Sequence, residues 1–467
     1  MVHINPKTQD AYDLLHQGVQ ALARAEQQGI RIDMDYLLRQ IEIIDGRVKQ
    51  LENRFFKTKF YKHWEHVSRG KVNIYSGQQL GHFLYKVKKL EPPAVTSKSG
   101  QGKTDEEALK SLGLPELDLY LKIKKWKKTQ DVLKNFEREQ VNGILHPVFN
   151  LHLVITYRSS SDSPNFQNIP NRDETMKRII RRALYPRQGH LLLEVDYGSL
   201  EVRVGACYHQ DENMIRYIKD KSTDMHRDVA MEIYRLDEFD KSIPGFSTLR
   251  SAAKNGFVFP QFYGSYYKNC AESLACRWCD LPKGKWRPGQ GLKLGNEYLS
   301  DHLIRKGLRS YNKFTDSLKS IEDSFWKQRF KKYDWWRRVN WELYQKYGYV
   351  DYKTGFRISG EMEFKEINNY PIQGSAFHCL LWSFVELDRI MRKERWKSRL
   401  IGQIHDSIII DVNPDELNRV MRVVQRVTCE DLPKAWKWII VPLEIEAELS
   451  PVDGSWAEKE VVKFEDY

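Results

Sequence analysis

The sequence predicts an α+β protein whose sheet is entered, left for a long helical lobe and then entered again. Three observations predict this. Helix-patterned segments crowd the stretch before about residue 140. Short apolar runs with strand character follow at 190–196, 399–412 and 441–449. Between the first two runs, residues 205–350 are mostly helix-patterned and rich in Arg, Lys, Trp and Tyr.

Composition bounds the class. At roughly 150 residues per domain, 467 residues predict about three lobes. No apolar run approaches the ~20 residues that cross a bilayer, which excludes a membrane-spanning protein. The 57 aromatic residues (13 Trp, 24 Tyr, 20 Phe) exclude a disordered chain. The net charge of +12 favours a polyanionic partner. Residues 1–20 lack a secretory signal, so a reducing cytoplasm is expected. Cys270, Cys276 and Cys279, with His302 beyond them, lack the second ligand pair of a zinc site. Buried or free thiols are expected there, with a metal as the lesser alternative.

The elements follow in order. Residues 8–28 predict a helix stopped by Gly29, and a second helix runs from near Met34 past Glu52. Ser76 with Gln79, and Thr104 with Glu107, fit capping boxes that start short helices. Residues 121–139 form a helix with Leu121, Trp126, Leu133 and Phe136 among lysines 122, 124, 125, 127 and 128. Those lysines suit a solvated face or a face laid along phosphates, and both readings stay open. Residues 190–196 form a buried strand ending in Asp196. Residues 399–412 form a hairpin turning at His405–Asp406. The 326–341 segment, rich in Trp and Arg, suits the lobe's core and rim ahead of a stacking surface for single-stranded nucleic acid.

Chemistry concentrates in three places. Asp196 and Asp406 would share a cleft if their strands are neighbours, and Mg2+ suits one or two carboxylates plus substrate phosphates. Arg250 and Lys254 lie four residues apart on one helix face, a spacing that suits a triphosphate, with His226 as a further donor. The polar turn from Arg158 through Gln167 and Asn168 offers the guanidinium and amides that suit a minor groove.

Taken together and in this order, these blocks resemble the A family of DNA polymerases, the DNA polymerase I type. DYGSLEVR (196–203) resembles its motif A, Arg250 to Gly264 its motif B and His405–Asp406 its motif C. The RSSSDSPNFQNIPNR turn, Asn369 to Ser375 and the closing VPLEIEAELSPVDGSW also fit, as does ALARAEQQGIRID near the start. The resemblance implies a right-hand architecture. A lead-in segment at 1–29 precedes a thumb at 30–149, with a palm at 150–225 and 350–467 and fingers at 226–349. It implies template-directed addition of deoxynucleotides to a primer 3′-hydroxyl, releasing pyrophosphate. Asp196, Tyr197 and Asp406 would bind two Mg2+ ions, with Mn2+ as a substitute, and Asp196 and Asp406 would be catalytic. Arg250, Lys254, His226, Phe257 and Tyr263 would contact the dNTP, with Phe259 as the alternative to Phe257. Glu201 would exclude a ribose 2′-hydroxyl. Arg158, Gln167, Asn168, Arg172, Arg181, Asn369, Gln373 and His405 would touch the primer–template duplex.

The chain departs from the family pattern. Ser407 replaces the usual Glu of motif C, Ser199 replaces Gln in motif A, and Lys365 stands where Arg is usual. Motif B has nine steps from Lys254 to Tyr263 where the family has eight. A π-type bulge or break between Phe257 and Pro260 is expected to absorb the extra residue. The family's proofreading exonuclease has no room ahead of the resemblance, and is expected to be trimmed or separately encoded. A monomer is expected, of phage or mobile-element type, with a separate exonuclease or processivity factor as further candidate partners. Two rivals stay open: a non-catalytic or weakly catalytic DNA-binding protein, to which Ser407 lends weight, and a single-subunit RNA polymerase, against which Glu201 argues. Reverse transcription stays open as a side activity.

Overall fold

The computed structural model describes residues 7–93, 100–169, 173–240 and 242–467. Its main sheet has five strands: β1 (Leu191–Tyr197), β2 (Arg399–Ile404), β3 (Ser407–Val412), β4 (Ile445–Leu449) and β5 (Glu460–Val462). Their spatial order is β2–β3–β1–β4–β5, antiparallel throughout. The chain leaves after β1 and returns at β2, as the sequence predicts. Both faces of β1 and β3 are covered, which is why their apolar runs are nearly continuous. Leu193, Val195, Ile408 and Ile410 enter one core, while Leu192, Ile401, Ile409 and Trp456 enter another. The strand period of two therefore puts Leu192, Glu194 and Asp196 on one face, with Leu192 buried and Asp196 exposed at the open end.

Nine helices set the site. Helix α1 (Thr8–Gln28) ends at Gly29, whose φ of 62° is a left-handed conformation. Helix α2 (Met34–Phe56) is capped by the Asp33 side chain and packs along α3 (Pro115–Glu139) through Ile41, Ile44, Leu133 and Phe136. Helix α4 (Leu200–His209) follows β1 directly, through Ser199 at φ 53°. The helical lobe contributes α5 (Met225–Tyr234), α6 (Phe246–Ala253), α7 (Phe259–Phe262) and α8 (Lys331–Tyr347). Helix α9 (Phe364–Lys393) runs through the middle and is buried on most sides. A Cβ at Gly374 would lie 2.3 Å from the Thr156 carbonyl. Only glycine there lets the 156–158 loop rest on α9, and that seat positions Arg158.

A separate apolar core joins Phe55, Phe60, Trp64, Phe83, Leu117 and Tyr120, giving the outer part of the α2–α3 lobe its own packing. One of the two expected caps changes. Ser76 caps its helix by accepting from the Gln79 N–H, but the cap before Glu106 is Asp105. Thr104 instead donates to the Gly77 carbonyl at 3.3 Å. Cys270 and Cys279 are buried in the helical lobe, where burial pushes their thiols up to about 11 and about 12. The Cys279 thiol meets the Tyr234 hydroxyl at 3.5 Å, and His302 Nε2 meets the Tyr234 carbonyl at 3.0 Å. Among the described residues, no three His, Cys, Asp or Glu side chains converge as metal ligands. Trp326 is buried and donates to Gln261 Oε1 at 2.8 Å, under the guanidinium of Arg337, so the Trp/Arg segment is core and rim. Trp335 and Arg338 are exposed at its rim. Among the lysines of α3, Lys125 pairs with Asp173 and Lys127 with Asp131, while Lys122 and Lys128 are exposed without forming part of that packing. Among the described residues no helix is long and apolar enough to cross a membrane.

Candidate active site

Ser407 pairs directly with Asp196 across β3 and β1, and Glu446 pairs with Asp196 from the β4 side. That register places Asp406, in the β2–β3 turn, beside Asp196. The Tyr197 N–H donates to the Asp406 carbonyl at 3.2 Å and fixes the turn to β1. His405 makes the turn at φ 54°. A cavity of about 400 Å3 is lined by Asp196, Asp406, Glu194, Glu446 and Glu448. Asp196 opens onto this cavity, where the surrounding protein displaces part of its water; that desolvation, then the charges of Asp406, Glu446 and Glu448, pushes its pKa up to about 6. Burial also raises Asp406; Arg158 opposes this and Glu201 adds to it. Asp406 Oδ1 is buried without a hydrogen bond, its nearest cation being Arg158 Nη2 at 3.8 Å. Two repelling carboxylates, all-oxygen donors and an orphaned oxygen form a set that fits a divalent cation such as Mg2+. The Tyr197 phenol is buried and meets Ser383 Oγ at 2.8 Å, which leaves its main chain as the part that can reach a metal.

Around the pair, Glu201 in the first turn of α4 accepts from Arg158 Nη1 at 3.1 Å and from the Tyr263 hydroxyl. Burial, then the Glu201 charge, raises the Tyr263 phenol. Asn369 and Gln373, one turn apart on α9, line a cavity of about 200 Å3 with Glu201, Tyr263, Phe259 and Asp406. A third cavity, of about 460 Å3, is lined by His226, Arg250, Phe259 and Ser199. Asp406 lines the first two, and Ser199 and Phe259 line the last two, so the three cavities are neighbours.

Arg250 donates from Nε to Asp224 Oδ2 at 2.7 Å. His226 is held near pKa 4 by burial and then by Arg250 and Lys254, and its Nδ1 is unpaired. The extra residue of motif B is absorbed by a π segment, Lys254–Val258, in which the Phe259 N–H bonds back five residues to the Lys254 carbonyl. It begins three residues earlier than expected and returns Tyr263 to Glu201. It also decides between the two aromatic candidates. Phe257 is fully buried against Phe325, so its assignment to the nucleotide is corrected. Phe259 stands in the cleft, edge-on to His226, with Lys254 Nζ 5.3 Å from its ring.

Other expectations fare unequally. Gln167 Nε2 donates to Ser159 Oγ at 2.9 Å, and Gln403 of β2 donates to the same hydroxyl, which ties the polar turn to the sheet. Asn168 ends a short helical turn, Phe166–Asn168. Arg172 lies outside the described residues. Arg181 is corrected as a duplex contact: it is buried, 3.5 Å from Glu194 and stacked over Trp456. Lys365 is exposed and pairs with Glu363 at 2.8 Å. Sequence reasoning missed Asp224 as the partner of Arg250, and it missed the acids around Asp196. The alternation Glu194–Val–Asp196 beside Glu446–Ala–Glu448 was the available signal, since a period of two puts all four on one face.

A profile of DNA polymerase family A matches residues 35–458. The DNA polymerase I of Chloroflexus aurantiacus is 27% identical over 456 residues, covering 93% of this chain and 42% of its own. The thermostable DNA polymerase I of Thermus thermophilus is 26% identical, covering 92% of this chain and 46% of its own. The chain thus spans less than half the length of these two curated relatives. A solved structure of the POL domain of M. smegmatis Pol1, in complex with DNA primer-template and dNTP, shares the fold. Its TM-score is 0.69 at 22% identity, over 95% of this chain and 70% of that one. A right-hand α+β fold and a profile matching nearly end to end have one reading: the chain belongs to DNA polymerase family A.

Proposed function

We propose that the chain is a template-directed DNA polymerase that adds deoxynucleotides to a primer 3′-hydroxyl. The observation that carries this is the Asp196–Asp406 pair, set by strand register near a cavity lined by Arg250, His226 and Phe259, with Lys254 Nζ 5.3 Å from the Phe259 ring. Asp196 and Asp406 would hold two Mg2+ ions, or Mn2+ in their place. Bound there, the ions supply charge neutralisation at the attacking hydroxyl and at the leaving pyrophosphate. The chain's own residues orient the reactants. Arg250 and Lys254 bind the triphosphate, and Arg250 must first exchange its Asp224 carboxylate for phosphate. His226, uncharged near neutral pH, donates a hydrogen bond without adding charge. Phe259 is the aromatic that meets the incoming base or sugar. Glu201, braced by Arg158 and Tyr263, closes the space a ribose 2′-hydroxyl would need. Asn369, Gln373, Gln167 and His405 would contact the primer–template duplex, and Asn168 is proposed with them from the sequence motif.

The lobes are assigned accordingly: thumb 30–149, palm 150–225 and 350–467, fingers 226–349. A monomer working in the cytoplasm completes the reading. Primer extension on DNA and RNA templates, with dNTPs and with rNTPs, tests it. Mg2+-dependent extension of DNA templates with dNTPs is expected, with rNTPs poorly used. Extension that persists in Asp196→Asn would defeat the site assignment. Glu201→Ala should raise rNTP use relative to dNTP use.

A further inference from the structure

Ser407 stands beside Asp406 where the family pattern has Glu. Its Oγ lies 3.1 Å from Glu194 Oε1 and 2.9 Å from the Ile404 carbonyl. Glu194 sits two residues before Asp196 on the same face of β1 and lines the same cavity as Asp196 and Asp406. Its other oxygen, Oε2, is occupied. Trp456 Nε1 donates to it at 2.8 Å, Lys459 Nζ donates to it, and Arg181 Nη1 lies 3.5 Å away. The single Ser407 hydroxyl proton is shared between Oε1 and the Ile404 carbonyl, and among the described residues it is the donor that reaches Oε1. A glutamate at 407 would bring a second carboxylate against Glu194, at a spot now spanned by a single hydrogen bond. The two positions therefore suit one acid between them.

We propose that Glu194 is a positioning residue for the Asp196–Asp406 pair, bracing from the neighbouring strand, through Ser407, the turn that carries Asp406. This inference rests on the active-site reading above. The β2–β3 turn that carries Asp406 is tied to β1 twice. The main-chain tie is the Tyr197 N–H to the Asp406 carbonyl, and the side-chain tie is Ser407 to Glu194. Trp456, Lys459 and Arg181 hold Glu194 rigid, so the second tie sets where Asp406 stands relative to Asp196. Groups that orient metal ligands typically change metal affinity or activity by ~10–100-fold when removed.

The test is Mn2+ binding, followed by electron paramagnetic resonance, alongside single-nucleotide kinetics and a melting curve for each variant. Glu194→Gln should weaken Mn2+ binding by about tenfold and lower kcat, with the dNTP KM within about twofold. Ser407→Glu should do the same by crowding two acids. The exchange variant, Glu194→Ser with Ser407→Glu, should recover Mn2+ affinity to within about threefold of the parent. Ser407→Ala removes the tie without burying an unpaired charge, and should weaken Mn2+ binding at an unchanged melting temperature, so it decides the matter if Glu194→Gln fails to fold. Wild-type Mn2+ binding in Glu194→Gln or Ser407→Ala would overturn the proposal, as would an exchange variant no better than its singles. Asp196→Asn separates the two levels. If it loses Mn2+ while Glu194→Gln binds normally, only the role of Glu194 falls; if it keeps both Mn2+ and extension, the active-site reading falls with it.

Discussion

Asp196 shows how one residue joins fold to chemistry. Its raised pKa of about 6 lies above the ordinary carboxylate value near 4, so the folded, metal-free protein binds a proton there that the unfolded chain releases. Stability contributed by this group therefore falls as pH rises from about 4 to 6, and Asp196→Asn should remove that slope. A cation needs the ionised form. Mn2+ affinity should accordingly rise with pH up to about 6, by at most about tenfold per unit for each proton released, and level off above, as a titration at several pH values would show. Arg250 gives a second test. Burial works to raise Asp224, but the Arg250 hydrogen bond and the Arg227 N–H outweigh it and hold Asp224 below its usual value. Asp224→Asn should free Arg250 and lower the dNTP KM by about 2–5-fold, the range of a partly exposed ion pair. The two phenylalanines should separate cleanly. Phe257→Ala should cost about 3–5 kcal/mol of stability with little change in KM, and Phe259→Ala should raise the dNTP KM at little cost in melting temperature. At this scale the two aspartates were legible as candidates from their strand-end positions, and the resemblance of their motifs singled them out. The burial of Arg181 was not, because it depends on Trp456 and Glu194, which only the folded chain brings to it.

The π segment Lys254–Val258 is the element on which the nucleotide side depends. Nine regular helical steps of about 100° would have turned Tyr263 half a turn away from Lys254. One wide turn absorbs the surplus residue, and Tyr263 reaches Glu201. The need for such a turn was legible from spacing and from Pro260; its placement at Lys254 was not, because packing of Gly256, Phe257 and Val258 in the core decides which carbonyls miss their partners. Deleting exposed Asn255 should convert the segment to regular helix. Folding and the Tyr263–Glu201 contact should survive, and dNTP incorporation should stay within about tenfold. Deleting Thr248 from the regular part of α6 should instead rotate Arg250 off the cleft and abolish it. Incorporation kinetics and melting curves of the two deletions check this. The strands were the most legible elements, since apolar runs covered on both faces have little freedom to be anything else. The cap at Asp105 rather than Thr104 shows the usual limit: two adjacent residues can both cap, and the tie of Thr104 to Gly77 settles which one does.

Across the whole molecule, the surplus of twelve positive charges has an organised exception. Glu194, Asp196, Asp406, Glu446 and Glu448 gather at one cavity in a basic chain. The order of the motifs along the sequence already implied a sheet that is left and re-entered, and the register of β1 with β3 now gives the reason the two aspartates meet. Packing among distant segments was not legible: the α2–α3 lobe has its own outer core and joins the sheet's core at its inner end, which no local pattern announces. The central claim is that Asp196 and Asp406 together run metal-dependent nucleotide addition. The most direct measurement is single-turnover incorporation of one templated dNTP as Mg2+ is titrated, in the parent chain and in Asp196→Asn and Asp406→Asn. The account predicts Mg2+-dependent incorporation in the parent and a loss of about 10^3-fold or more in each variant, the rate equivalent of about 4 kcal/mol of charge stabilisation. Incorporation within about tenfold of the parent in either variant would contradict it.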